Sequence, residues 1–505
     1  MLAASEVMSV VQSAASSIDS TTMVIAVTDR MGNILAIFRE PSAPAQAAAN
    51  FGMMMDSNDV AVALARTAAF FSNSQAPLSS RTVRFISTTH FPFGVMYTSN
   101  APLYGIENTN RGCPLNANFV STPSARPRLP EGGRPVFRGA NTASTPLVPP
   151  ATLIDGTLPG LGPITGKVDV NDSDQDAVNP GGVPLYKDGV LVGGVGVTGV
   201  AANIAEFAAY SGSVGAGLGA APAPPGVVFI NGIALPFVNQ TKQPAGTTPG
   251  AFNGTFVQGT NGVTGPIPSP GPAPEGDLVA AQASTMGGLS QAEVQSIVDA
   301  AVAAANQTRA VIRLPLGSTT RMAIAVADLN GNILALNRMP DATVFSIDVA
   351  VAKARNVIYF SGSLPPLPAG TAVTNRTIGF GAQPFYPPGI DRTSPGPFFD
   401  FYTFDQANPC TQGPPLLGAP QPPGQLFQLT NRNGIVFFPG SLPLYRNGVL
   451  VGGLGISGDG VDQDDYVTAQ AAINFPAPAG IRADQIFFEG VRLPYQTFPR
   501  NPTTP

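Results

Sequence analysis

The chain has 505 residues, of which only 11% are charged, and its formal net charge is −5. That charge and the scattered lysines and arginines argue against nucleic-acid binding, which needs clustered basic residues. No run of about 18 apolar residues occurs, so we expect no transmembrane helix. The length favours two domains.

The first predicted elements are a helix, a hairpin and a second helix. Apolar residues near the N-terminus recur with the spacing of a helix that buries one stripe. They are Val7, Val10, Val11, Ala14, Ala15 and Ile18. Residues 23–39 (MVIAVTDRMGNILAIFR) then place two apolar runs around a turn containing Gly32, which predicts a hairpin. The second helix is predicted over Asp59–Phe71.

A Gly-rich strand pair is predicted at residues 185–199 (LYKDGVLVGGVGVTG), followed by a third helix and a last strand pair at 227–236. An irregular stretch, residues 108–184, precedes the Gly-rich strand pair. Loops this long are usually functional or form contacts.

The same elements then recur in the second half of the chain. Residues 322–338 (MAIAVADLNGNILALNR) and 444–458 (LYRNGVLVGGLGISG) repeat both motifs. The period is too long for a solenoid unit, so each copy is a whole domain and the chain is predicted to be a covalent pseudo-dimer. The predicted division is domain A at 1–242 with an insertion at 108–184, a Gly/Pro-rich linker at 243–288, and domain B at 289–505 with an insertion at 391–440.

The order of these motifs resembles the GlcG/HbpS family. This small domain also occurs at the C-terminus of PduO-type proteins, and some of its members bind haem. The motifs are the amphipathic helix, DxxGNILA, DVAxxxAR and LYxxGVLVGGxG, each present in both copies. The resemblance implies an α+β, profilin-like (GlcG-like) fold with an antiparallel sheet of about five strands flanked by helices. It also implies assembly into higher oligomers, so self-association is expected.

Two glycine patterns fit G-x-G-x-x-G, one in each Gly-rich strand. In the second copy the pattern includes Gly453 and Gly455. A dinucleotide-binding unit needs parallel strands, whereas this strand is half of a tight hairpin. The glycines more simply let a helix or a ligand approach the strand closely, with Ser457 near the start of the next helix.

Polar residues around the second and third helices are the candidates for a ligand pocket. In copy B, Asp459, Asp462, Asp464 and Asp465 either stabilise a helix N-terminus or form a polar pocket wall or a set of metal ligands. The arginines of the second helices either form structural ion pairs or grip a ligand carboxylate or haem propionate. The candidate ligand-binding residues are Lys353, Arg355, Arg66, Gly453, Gly455, Ser457, Asp462 and Asp465.

Haem is a candidate cofactor through the resemblance. No CxxCH motif exists, which excludes covalent c-type attachment. His90 offers an iron ligand, but Phe385 stands at the aligned position in copy B, and a histidine beside aromatic residues is more often packing.

Two further features lie in the insertions. Asp172, Asp174 and Asp176 resemble a calcium-binding loop, with a solvated acidic loop as the alternative. Cys113 and Cys410 either bridge the two copies in a disulfide or stay unpaired.

We therefore expect a non-catalytic protein that binds haem or another small molecule. Low charge, many prolines and long loops favour an extracytoplasmic location, although no signal peptide is visible. A structural, self-assembling protein is the alternative. A third candidate is an enzyme acting on small hydroxy-acid-like substrates, although no triad or zinc-type cluster appears.

Overall fold

The computed structural model describes residues 1–49, 53–106, 180–219, 228–257, 264–362, 364, 366–407 and 434–503. These residues form two compact units. Of the described residues, unit 1 contains 1–86 and 180–273, and unit 2 contains 87–106 and 274–503. Residues 87–106, which the sequence division assigns to domain A, thus pack within the unit built mainly from the second repeat. No helix in the described ranges is both long and apolar enough to cross a membrane.

Unit 1 is an antiparallel sheet flanked by helices. Its helices in the described ranges are α1 (Ala4–Ala15), α2 (Ser57–Phe71), α3 (Ser80–Phe85) and α4 (Ala202–Gly215). Its strands there are β1 (Val24–Asp29), β2 (Ile34–Arg39), β3 (Gln46–Ala49), β4 (Met53–Asp56), β5 (Gly182–Lys187), β6 (Val190–Thr198), β7 (Phe229–Ile230), β8 (Ile233–Ala234) and β9 (Thr255–Phe256). The main sheet has the order β5-β6-β1-β2-β9, and β3-β4 and β7-β8 form separate two-stranded sheets.

Unit 2 repeats this plan. Its described helices are α5 (Gln291–Ala305), α6 (Phe345–Gly362), α7 (Asn375–Gly381), α8 (Phe399–Ala407) and α9 (Val461–Ala471). Its described strands are β10 (Gly276–Val279), β11 (Ala323–Ala327), β12 (Ile333–Arg338), β13 (Ser441–Arg446), β14 (Val449–Ser457), β15 (Phe487–Phe488) and β16 (Val491–Arg492). The main sheet has the order β10-β12-β11-β14-β13. The predicted α+β class, with antiparallel sheets of five strands flanked by helices, is confirmed.

The central strand β1 begins with four apolar residues because helices cover both of its faces. In β1, Ile25 and Val27 belong to the core that includes α1 and α4, whereas Val24 and Ala26 pack against α2. Successive side chains of a strand point to opposite faces, so one continuous apolar run serves both cores. Helix α2 is buried nearly all round, as expected for a helix without a polar face.

The predicted linker supplies one edge strand to each sheet. Strand β9 pairs with β2 through Phe38 and Phe256, and β10 pairs with β12 through Gly276 and Arg338. An open sheet edge leaves backbone groups without partners, and these short strands cover it. The linker composition gave no sign of this because two to four paired residues are too few for a strand pattern.

Candidate functional site

A buried ion pair lies between α6 and α9 in unit 2. The Lys353 ammonium donates to Asp464 Oδ2 at 2.9 Å and to the carbonyl oxygen of Ile456 at 2.7 Å. The two residues are 0% and 2% exposed. Burial raises the pKa of Asp464 to about 7, against the opposing effect of Lys353. Burial likewise lowers the pKa of Lys353, against the effect of Asp464. Removal from water thus disfavours both charged forms.

A second ion-pair cluster connects α7 to α9. The Arg376 guanidinium donates to the carboxylates of Asp462 and Asp465. Asp465 also accepts from the backbone amides of Gly440 at 2.9 Å and Thr497 at 3.1 Å. The predicted ligand residues Asp462 and Asp465 therefore hold together a helix pair and the chain that follows the last strands.

The equivalent cluster in unit 1 has the same design. Arg81 Nε donates to Glu206 Oε1 at 2.7 Å. Glu206 Oε2 accepts from the amides of Asn239 and Gln240, both at 3.1 Å. Because both units keep this arrangement, it is part of the framework common to the two repeats.

Arg355 and Arg66 hold the hairpin turns against the second helix of each repeat. Each donates through Nε at 2.9 Å to a turn carbonyl, that of Gly331 in unit 2 and of Gly32 in unit 1. Their exposure is 0% and 4%, and burial lowers the pKa of Arg66 to about 10. The structure therefore gives these arginines a positioning contact with the protein backbone.

The glycines of β14 allow close packing by α6. A Cβ on Gly453 would lie 2.2 Å from the Ala354 carbonyl oxygen, and one on Gly455 would lie 2.1 Å from that of Ala350. Strand β14 is antiparallel to both β11 and β13, unlike the strands of a dinucleotide-binding unit. Ser457, at the end of this strand, is 1% exposed.

His90 lies in unit 2 with both ring nitrogens beside oxygen atoms. Nδ1 is 3.2 Å from the carbonyl oxygen of Thr98, and Nε2 is 3.6 Å from Asp391 Oδ1. The residue is 8% exposed. An axial haem ligand presents an open nitrogen to the iron, and Asp391 stands where the macrocycle would have to lie. As placed, His90 does not fit that role.

The remaining candidates fall on residues that the structure does not describe. Asp172, Asp174 and Asp176 lie outside the described ranges, and so do Cys113 and Cys410. Calcium binding and a disulfide therefore stay predictions. Within the described ranges, no group of three or more His, Cys, Asp or Glu residues is arranged to hold a metal ion.

Sequence reasoning missed Arg376 and Asp391. A signal existed for Arg376, because Arg81-Thr82 and Arg376-Thr377 follow the second helix in both repeats. Asp391 had no such signal, since it lies in a predicted insertion.

Comparison with known proteins gives one family and several partial likenesses. Residues 289–474 match the family model described as "Haem degrading protein HbpS-like". This match confirms the predicted resemblance for the second repeat. An uncharacterized 15.0 kDa protein of Citrobacter freundii, from the dhaT-dhaS intergenic region, is 41% identical over 58 residues. That alignment spans 11% of this chain and 41% of the relative's length.

Two solved structures show the same kind of partial likeness. A PduOC:haem complex is 24% identical, with 38% of this chain and 99% of that one covered and a TM-score of 0.25. A double mutant of HbpS from Streptomyces reticuli is 22% identical, with 40% and 98% covered and a TM-score of 0.21. At these TM-scores the likeness adds nothing to the fold described above.

Proposed function

We propose that this protein is a non-catalytic, extracytoplasmic binding protein and that unit 2 binds haem. The observation that carries the haem-binding part of the proposal is the match of residues 289–474 to a family described as haem-degrading. The Lys353–Asp464 pair is too deeply buried to contact a ligand, and the partly exposed Arg376 and Asp462 are paired with each other, so we place the binding surface elsewhere on the unit.

We place this surface at two adjoining loops of unit 2, which we call the loop-pair surface (Val95, Met96, Tyr97, Ile390 and Arg392). Its four apolar side chains are 47%, 52%, 55% and 49% exposed, in that order, and Arg392 is also exposed. The amide of Tyr97 donates to Asp391 Oδ2 at 2.9 Å, which joins the two loops. Aromatic and aliphatic side chains beside a guanidinium suit a flat apolar molecule that carries a carboxylate.

His90 does not supply an axial ligand for haem iron, because its ring nitrogens face Thr98 and Asp391. Binding at the loop-pair surface would therefore rest on apolar contact and on Arg392 pairing with a propionate. Haem chemistry would need further groups, and we derive no reaction from this surface.

Haem titration of the full chain, followed by absorbance near 400 nm, tests the proposal. We expect stoichiometric binding that weakens at least tenfold on Tyr97→Asn or Arg392→Asn, since asparagine tolerates the positive φ of 59° and 67° at these positions. Val449→Asn is the matched control, because Val449 is 64% exposed elsewhere in unit 2. Absence of haem binding to the unaltered chain contradicts the proposal. Equal loss in all three variants contradicts the location.

Self-association is the second candidate, favoured by the same exposed apolar side chains, since such patches also mark protein interfaces. Light scattering with size-exclusion chromatography should then show an oligomer that dissociates on Tyr97→Asn. The enzyme hypothesis would need Lys353 or Arg355 to act on a substrate. It gains no support, because both residues are 0% exposed.

A further inference from the structure

His90 is the chain's single histidine, and its tautomer is set by its surroundings. A carbonyl oxygen can only accept, so Nδ1 must donate its hydrogen to Thr98 across 3.2 Å. In the neutral ring Nε2 then carries a lone pair, and this atom faces Asp391.

The Asp391 oxygen that faces this lone pair accepts no hydrogen bond. Its Oδ2 accepts from the Tyr97 amide at 2.9 Å, whereas Oδ1 has no hydrogen-bond partner in the described part of the chain. The Asp391 side chain is 2% exposed. The 3.6 Å between Nε2 and Oδ1 exceeds the usual hydrogen-bond length of about 2.7–3.2 Å. Two electron-rich atoms thus face each other in a nearly buried site.

We propose that His90 Nε2 and Asp391 Oδ1 bind a borderline divalent cation such as Zn²⁺. Bonds of about 2.1 Å at a tetrahedral angle place two ligand atoms about 3.4 Å apart, close to the separation observed. The Thr98 carbonyl and the Tyr97 amide orient the two ligands from behind, as is usual around metal-binding residues. Water completes the coordination, since the protein supplies two ligands.

The site is asymmetric with respect to the repeat. The two loops are equivalent, because Phe91 N donates to Ser99 O and Tyr386 N donates to Ser394 O, both at 2.9 Å. The same register aligns Phe385 with His90, and Met96 with Asp391. Neither Phe385 nor Met96 carries a nitrogen or oxygen ligand in its side chain. The loop pair therefore forms one such site.

Zinc titration of the full chain tests this proposal without using haem. Chain labelled with ¹⁵N-histidine gives the signals of His90 alone, and Cys113→Ser with Cys410→Ser removes competing thiols. We expect the His90 signals to move and saturate at one equivalent of Zn²⁺. Calorimetry should show binding weakened at least tenfold by Asp391→Asn or His90→Gln, and unchanged by the control Asp277→Asn.

Imidazole signals that stay unmoved in excess Zn²⁺ overturn the proposal and leave His90 and Asp391 as a contact within the protein alone. Equal zinc affinity in all variants overturns it as well. The NMR experiment keeps both proposed ligands intact, so its result does not depend on whether the Asp391→Asn and His90→Gln variants fold.

Discussion

Lys353 and Asp464 form a buried ion pair whose place in unit 1 is taken by Leu64 and Ala205. A Cβ on Gly440 would lie 2.6 Å from both Lys353 Nζ and Asp464 Cβ. At the equivalent position in unit 1, a Cβ on Gly181 would lie 3.5 Å from Leu64 Cδ1 and 3.3 Å from Ala205 Cβ. One backbone frame thus accommodates either a charged or an apolar pair.

Replacing one member of the pair should lower the stability of the protein far more than replacing both. Lys353→Leu leaves Asp464 buried without its cation, and such losses cost about 3–5 kcal/mol. The double variant Lys353→Leu/Asp464→Ala reproduces the apolar pair of unit 1, and we expect its stability to stay within about 1 kcal/mol of the parent. Urea unfolding at pH 7 measures both, and additive losses in the double variant would contradict the argument.

The contribution of Asp464 should depend on pH between about 4 and 7. Its folded-state pKa is raised to about 7 from the usual aspartate value of 3.8, so the native state holds this proton more tightly. The resulting stabilisation is full below the unfolded pKa and is lost as pH rises through the folded pKa. The advantage of the parent chain over Asp464→Asn should therefore fall by up to about 1.4 kcal/mol per pH unit. If the stabilities of the parent chain and of Asp464→Asn run parallel from pH 4 to 7, the raised pKa of Asp464 is refuted.

Gly455→Ala should destabilise unit 2 because the added methyl group meets backbone. Its Cβ would lie 2.1 Å from the Ala350 carbonyl oxygen and 2.5 Å from the Ala354 amide nitrogen. Overpacking typically costs about 1–3 kcal/mol, and more when backbone has to move. Gly480→Ala is the control, because nothing lies within 4 Å of its Cβ. The midpoints of thermal unfolding compare the two, and equal midpoints would remove the close-packing explanation.

Arg355→Lys should lower stability without changing haem affinity. Lysine lacks the Nε–H that reaches the Gly331 carbonyl, so a buried acceptor loses a charged donor at a cost of about 1–3 kcal/mol. Arg66→Lys should act similarly in unit 1 through Gly32. Denaturant unfolding and haem titration of the same samples check both statements. A haem affinity that falls while stability is unchanged would return Arg355 to the ligand-binding candidates.

Much of the fold could be predicted from local pattern. The stripe from Val7 to Ala15 predicted α1, and the Gly32 turn predicted the β1-β2 hairpin, because periodicity and turn chemistry act over a few residues. The short helices α3 and α7 and the edge strands β9 and β10 were missed. Their positions depend on contacts with residues distant in sequence.

The candidate site was predictable only in part. Lys353 was among the predicted ligand-binding residues, but its partner Asp464 was one of four nearby aspartates that sequence could not rank. His90 was noticed as the single histidine, whereas Asp391 lies about 300 residues further along the chain.

The sequence by itself determined the duplication, the α+β class and the likeness of the second repeat to the HbpS family, since these depend on repeated local motifs. The tertiary structure alone decided that residues 87–106 pack within unit 2, that Lys353 forms an ion pair with Asp464 inside the protein, and that His90 faces Asp391. Such pairings depend on burial and on chain segments meeting in space, and neither leaves a periodic trace in the sequence.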